Sequence, residues 1–352
     1  MKFVHIADVH FDMPFRTLAE RANLGQQRRM EQREAFRKVI DFIKEEKVDY
    51  LFISGDLYEE ENIRKTTIDY INNLFKKIKN TKIFIAPGNH DPYLKNSYYS
   101  VYNWSENVKI FTEKVETIKY ENINIYGYGF NDFEMKENMI ENIKIEEPEK
   151  MNILITHGDI YTDSKYNKID KNKLKKFSYV AIGHIHKKDE YYPGSLISLG
   201  FDEPGEHGFY FGETIKLNGK EFLNKKFIKI DEKEFIKKEI NITDILSQEE
   251  LIEKLNLIET KNNYYEIHLT GMKNFSININ MKLIQDNIIK IKDKTKYKNS
   301  ITENDKTLSG IFLKKLNLKF HNGEIDEETY EKILELQNRI MESWKLKKMK
   351  NC

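Results

Sequence analysis

Five short polar runs in this chain combine imidazole, carboxylate and carboxamide groups: Asp8-Val9-His10, Gly55-Asp56, Gly88-Asn89-His90-Asp91, His157-Gly158 and Gly183-His184-Ile185-His186. Each follows an apolar stretch, at residues 3–7, 50–54, 83–86, 151–156 and 179–182. Short apolar stretches bounded by turn residues read as buried β-strands. Polar groups just beyond their carboxyl ends lie where open α/β sheets place ligands. A lone histidine after a strand is ordinarily structural, but five such clusters at successive strand ends converge on one sheet edge. Imidazole and carboxylate without thiolate suit Mn, Fe or Zn better than Ca or Mg. The groups are too many for one ion. Two ions about 3.5–4 Å apart, bridged by a carboxylate and a water, use them all and lower that water's pKa enough to make hydroxide near neutral pH. Such a pair suits in-line attack on phosphorus, with the charge on the phosphoryl oxygens neutralised.

The repeated strand–helix–strand order at the start predicts a parallel sheet. Its first crossover helix, residues 28–47, carries Phe36, Val39, Ile40 and Ile43 at helical spacing. Arg29, Arg33 and Arg37 fall four apart on its polar side, either as a solvated face beside Glu31 and Glu34 or as a phosphate-contacting stripe. A second helix spans about 64–79. The loop with Tyr93, Tyr98, Tyr99, Tyr102 and Trp104 either closes a satellite core or stacks on bases. Residues 108–130 read as antiparallel strands and 192–213 as β-hairpins around the turn Glu203-Pro204-Gly205-Glu206. Beyond about residue 231 the composition shifts to Lys, Glu, Ile and Asn, and residues 290–299 read as a linker. Two closing helices carry Leu308, Ile311, Phe312 and Leu316, then Ile333, Leu336, Ile340 and Trp344, with Asp326 as N-cap of the second. Neither buries its apolar face alone.

The 352 residues predict two or three domains, because one core rarely grows past about 250 residues. Lys plus Arg (58) balance Asp plus Glu (57), so any nucleic-acid site must be a local patch. The single cysteine, Cys352, excludes an internal disulfide framework and fits a reducing cytoplasm. No signal peptide is expected, since polar residues interrupt the amino terminus before an apolar run of about 7–15 residues forms. No stretch approaches the roughly 18 apolar residues of a membrane span. A soluble, cytoplasmic protein without membrane contact is the expectation.

The order Asp-x-His, Gly-Asp, Gly-Asn-His-Asp, His-Gly, Gly-His-x-His resembles the calcineurin-like metallophosphoesterase family. The resemblance implies an α/β fold: a two-sheet metallophosphoesterase sandwich flanked by helices, followed by a small α/β cap and C-terminal helices. The chain then has three parts: a nuclease domain over 1–231, a small capping domain over 232–292 and a helical segment over 300–352 that either binds a partner or packs on the cap. By the family's ligand pattern, Asp8, His10 and His186 hold one metal and Asn89, His157 and His184 the other, with Asp56 bridging. The histidine matching His90 is not a ligand there but sits near the leaving group as proton donor or charge stabiliser. The residue three after the bridging Asp is usually an Asp in the phosphatases and His in some nucleases. This chain has Glu59, either a support behind His90 or a surface acid beside Glu60 and Glu61. Asp91 and Asp12 read as supporting or structural.

Residues 5–15, the Arg-rich first helix, Pro87 to Pro92 and the segment 200–208 further resemble bacterial YhaO-type DNA repair exonucleases, relatives of the SbcD nuclease subunit. That implies hydrolysis of DNA phosphodiesters, exonucleolytic from a 3′ end. The cofactors implied are two divalent ions, Mn first, with Fe or Zn as alternatives. The partners implied are DNA and an SMC-like ATPase subunit of the SbcC/YhaN kind, bound by the C-terminal helices, and a homodimer is common among such relatives. The metal ligands do not separate a nuclease from a hydrolase of small phosphomonoesters, nucleotides or cyclic nucleotides. The cap and helical tail favour the nuclease. Intact ligands argue against a non-enzymatic scaffold.

Overall fold

The structure, a computed structural model, describes residues 1–19, 21, 23–136, 139–217, 220–260, 263–297 and 307–350. The parallel sheet forms as the strand–helix–strand order predicts. β1 (Lys2–Ile6), β2 (Tyr50–Ile53), β3 (Lys82–Ile85) and β4 (Val108–Ile110) lie side by side and parallel. A second sheet holds β5 (Glu116–Lys119), β6 (Ile123–Gly127), β7 (Met151–His157) and β8 (Tyr179–Gly183), parallel except for the β5–β6 pair. The hairpin of β9 (Gly208–Leu217) and β10 (Lys220–Lys229) completes the first sheet by laying β9 antiparallel on β1.

Alternation along each strand decides which residues meet between the sheets. Phe3, Phe52 and Phe84 from the first pack with Ile125, Ile153 and Ala181 from the second in one core cluster. The intervening Val4, Ile6, Leu51 and Ile53 are also buried. With both faces covered, these strands read as continuous apolar runs. The Leu24–Glu46 helix buries Phe36, Val39, Ile40 and Ile43, and its Phe42 ring meets Phe209 and Phe211 of β9. The chain is thus an α/β sandwich, as expected.

Three expectations for secondary structure fail. Val108–Ile110 pairs parallel with β3 and leaves the antiparallel pairing to β5 and β6. Residues 192–207 form no hairpin. Side chains satisfy backbone groups there instead: Glu203 accepts from Leu199 N (2.9 Å) and Asp231 from Ser198 N (2.9 Å). Residues 290–297, read as linker, lie largely in the Ile288–Asp293 and Lys296–Tyr297 strands, because Ile288 and Ile291 pack into the core of the second unit. Residues 298 and 299 lie outside the described residues.

The chain divides into two compact units, Met1–Phe235 and Ile236–Cys352. In the second, β11 (Phe235–Asn241), β12 (Tyr264–Thr270) and the Ile288–Asp293 strand form a three-stranded sheet. The Gln248–Asn256 helix, capped by Ser247, packs Leu251 and Leu255 with Ile240, Ile267 and Leu269. The Leu308–His321 and Glu327–Lys350 helices share a small core of Leu313, Leu316 and Leu334. Asp326 accepts from Thr329 N (2.7 Å), as an N-cap should. No helix among the described residues is long and apolar enough to cross a membrane.

Candidate metal centre

Beyond their last paired residues, β1 and β2 stay hydrogen-bonded through irregular backbone. Asp8 N donates to Gly55 O (3.1 Å) and His10 N to Asp56 O (2.9 Å). Asp8, His10, Asp56 and His184 all adopt positive φ, at 52°, 52°, 51° and 118°, a conformation L-residues rarely take outside constrained functional loops. Two glycines make room. A Cβ on Gly55 would collide with the His157 ring, and one on Gly88 with the Asp56 carboxylate.

Asp91 ties the loops together. Its two oxygens accept from Gly88 N (2.7 Å), Asp56 N (2.9 Å), Leu57 N (2.6 Å) and the Tyr99 hydroxyl (2.6 Å). Tyr99 belongs to the aromatic loop, whose rings contact one another and Tyr58 and Phe75, so that loop is a satellite core bracing the site.

All nine residues singled out from the sequence meet here. His10 Nε2 lies 3.1 Å from His186 Nε2 and 3.7 Å from Asp56 Oδ2. Asp8 Oδ1 lies 3.8 Å from His186 Nε2, and its carboxylate accepts from His184 N (3.0 and 3.2 Å). Asp56 Oδ2 lies 3.4 Å from His157 Nε2, which is 3.0 Å from Asn89 Oδ1. The His184 ring is 5.2 Å from that of His157. Ligand atoms of Asp8, His10, Asp56 and His186 all fall within 4.8 Å of one another. Glu59 is no surface acid: it accepts from His10 Nδ1 (2.7 Å) on one oxygen and His90 Nδ1 (3.0 Å) on the other.

The arrangement fits cations. His10 and His186 each donate Nδ1–H to a carboxylate, so with both rings neutral their Nε2 lone pairs face each other at 3.1 Å, and the pair is held by whatever positive charge, a proton or a metal ion, sits between them. His157 donates Nδ1–H to Ser54 O (2.8 Å), so its Nε2 likewise faces a carbonyl oxygen, Asn89 Oδ1. Two such acceptor–acceptor contacts around a shared carboxylate repel unless positive charge lies among them. Asp8, His10, Asp56 and His186 could hold one ion and Asp56, Asn89, His157 and His184 a second.

Titration follows the same division. Burial opposes charge on His186, but the Glu203 hydrogen bond and the Asp8 carboxylate raise it to about 9. Burial, with His157 beside it, lowers His184 to about 4. Burial works against the Asp56 carboxylate, yet His157, His10 and His90 pull it well below the usual carboxylate range. Glu59, also opposed by burial, is held down to about 2 by its bonds to His10 and His90. The Glu59 hydrogen bond raises His90, half-exposed at the rim, to about 9.

Sequence reasoning missed Glu203. Its Oε1 accepts from His186 Nδ1 (2.5 Å) and its Oε2 from Ser195 Oγ (3.1 Å), while its own carbonyl lies 3.0 Å from His207 Nε2. The available signal is an acid inside the glycine-rich segment 200–208, where the residue types read as a turn.

Residues 1–188 match the calcineurin-like phosphoesterase family. Over 285 residues the chain is 30% identical to the "DNA double-strand break repair protein Mre11" of Methanocaldococcus jannaschii, covering 74% of this chain and 75% of that protein. Over 235 residues it is 26% identical to the "Uncharacterized metallophosphoesterase YhaO" of Bacillus subtilis (strain 168), covering 60% of this chain and 56% of that protein. The match thus spans little more than half the length of the second relative.

Proposed function

The chain belongs to the calcineurin-like phosphoesterase family, which makes it a metal-dependent phosphoester hydrolase, and we propose that it hydrolyses DNA phosphodiesters as a repair exonuclease. The observation that carries the catalytic reading is the pair of acceptor–acceptor contacts joined by Asp56, a cradle for two divalent ions. Asp8, His10 and His186 would hold one and Asn89, His157 and His184 the other, with Asp56 shared. Mn is the first ion to test, with Fe and Zn beside it. Bound there, the pair supplies a low-pKa water and charge stabilisation at phosphorus.

The chain's own residues do the rest. Glu59 fixes the His90 ring through Nδ1 and leaves Nε2 for the substrate, where it gives a proton to the leaving oxygen. Glu59 holds His10 with its other oxygen, so one side chain sets both the proton donor and a ligand. DNA as substrate is supported by the likeness to Mre11, whose name places that protein in DNA double-strand break repair. The Leu308–His321 helix exposes Leu308, Ile311, Phe312 and Leu318, and we assign this face to an SMC-like ATPase partner of the SbcC/YhaN kind. The division into a nuclease part (1–231), a cap (232–292) and a partner-binding tail (300–352) is proposed with it.

Purified protein is assayed with Mn on labelled single- and double-stranded DNA and on small phosphomono- and phosphodiesters, beside His90→Ala. Mn-dependent DNA cleavage that falls about 10²–10⁴-fold in the variant, with metal content unchanged, is expected. Rapid turnover of a phosphomonoester with intact DNA would overturn the reading.

A further inference from the structure

The arginines of the Leu24–Glu46 helix separate into two kinds. Arg37 pairs with Glu34 (2.5 Å) and Asp41 on the exposed side. Arg29 and Arg33, earlier on the same stripe, line a concave cleft of about 600 Å³ together with Arg64, Asp12, Asn62 and Met30. Arg33 is anchored. It donates to Thr67 Oγ1 (2.6 Å), lies 3.5 Å from Asp12 Oδ1 and sits over the Tyr70 ring at 5.1 Å. Arg29 is half-buried and Arg64 exposed.

Among the described residues, Asp12 is the single carboxylate in the lining of this cleft. Its Oδ2 is already taken by Arg64 N (3.1 Å) and the Thr67 hydroxyl (2.7 Å). A positive excess therefore remains in the cleft, although the whole chain is nearly neutral. The cleft adjoins the metal centre along two short connections. Asp12 lies two residues beyond His10. Asn62 N and Ile63 N donate to the carbonyl of Glu59 (2.9 and 2.8 Å), whose carboxylate holds His10 and His90.

We propose that the Arg29–Arg33–Arg64 cleft grips a backbone phosphate of a nucleic-acid strand whose scissile bond lies at the metal centre. This rests on reading that centre as a nucleic-acid phosphodiesterase. Guanidinium forks match phosphate oxygens in a way that dispersed surface lysines do not. A polynucleotide carries the second phosphate that such a cleft requires, and a small phosphomonoester does not. The cleft therefore selects strands over small esters.

The test uses the full chain and a fluorescent single-stranded DNA 20-mer, with binding read by anisotropy in EDTA over a salt series. Arg29→Gln/Arg64→Gln and the exposed single variant Arg64→Gln are compared with Arg37→Gln, which removes one charge, as Arg64→Gln does, from the helix that carries Arg29. Arg33 is left in place because it anchors Asp12 and Thr67. The double variant is expected to bind about tenfold more weakly at 0.1 M salt, with a salt slope smaller by about 1.4 for two lost contacts. Arg64→Gln should show about half that loss of slope, and Arg37→Gln should match the wild type. Unchanged binding in the double variant, or an equal loss in Arg37→Gln, overturns the proposal. Hydrolysis of bis(p-nitrophenyl) phosphate with Mn is measured in parallel. Wild-type protein that hydrolyses the diester but binds no DNA overturns the cleft and spares the centre. DNA binding through the cleft without diester hydrolysis does the reverse.

Discussion

On the Asp8 side of the metal centre each imidazole leans on a carboxylate, His10 on Glu59 and His186 on Glu203. Across Asp56, His157 leans on the Ser54 carbonyl and the His184 ring lies 5.3 Å from that of Tyr166. A carboxylate behind an imidazole makes it a more basic ligand. With the proposed ligand set, in which Asp56 is the one shared group, the two sides should therefore bind the same ion with unequal strength, tighter beside Asp8.

The largest expected effect comes from removing what they share. Asp56→Ala should lower diester hydrolysis by about 10³-fold and the bound metal below two equivalents, by elemental analysis. Unchanged stoichiometry would mean that the two sides are independent. Glu203→Gln acts on one side only. It should weaken the tighter ion about 10–100-fold by calorimetry, with Glu203→Asp recovering part of the loss. Tyr166→Leu, its counterpart across Asp56, should weaken the other ion by about threefold. Equal effects from Glu203→Gln and Tyr166→Leu would erase the distinction between the sides.

The remaining effect, on stability and not on metal binding, concerns what steadies the backbone-held side. Ser54, whose carbonyl holds His157, bonds through Oγ to His5 Nε2 (3.0 Å), and His5 Nδ1 meets the Tyr179 hydroxyl (2.9 Å). Burial, helped by the Lys225 charge, holds His5 well below the ordinary histidine value. A depressed folded value means that the unfolded chain takes up the proton first. This contribution to stability is present above about pH 6.5 and lost as the pH falls below it. Denaturant unfolding between pH 7.5 and 5.5 should show His5→Asn with a pH slope shallower than wild type by up to ~1.4 kcal/mol per pH unit. An identical slope would remove His5 from the linkage.

Much of this was legible in the sequence because strand and motif coincide. Each apolar run ends in its candidate ligand, so placing β1, β2, β3, β7 and β8 also places Asp8, Asp56, Asn89, His157 and His184. Glu59 could be read only as one of two things, since its neighbours Glu60 and Glu61 are the same residue type and only three dimensions separate them. Glu203 was not legible. It reaches His186 from an irregular segment 17 residues away, where no periodicity marks which side chain turns inward. The Arg29/Arg33/Arg37 stripe was visible as spacing alone. Its division into a solvated Arg37 and two cleft-lining residues depends on Asp12 and Arg64, which arrive from other parts of the chain. The linker reading fails over 290–297 for the converse reason: lysines among the strand positions hide Ile288 and Ile291, which carry the packing.

Calorimetric titration of metal-free protein with Mn tests most directly whether Asp56 joins two ion sites of unequal strength. Two binding events per chain are expected, the tighter one weakened selectively in Glu203→Gln. A single event, or two of equal affinity that Glu203→Gln leaves unchanged, would contradict it.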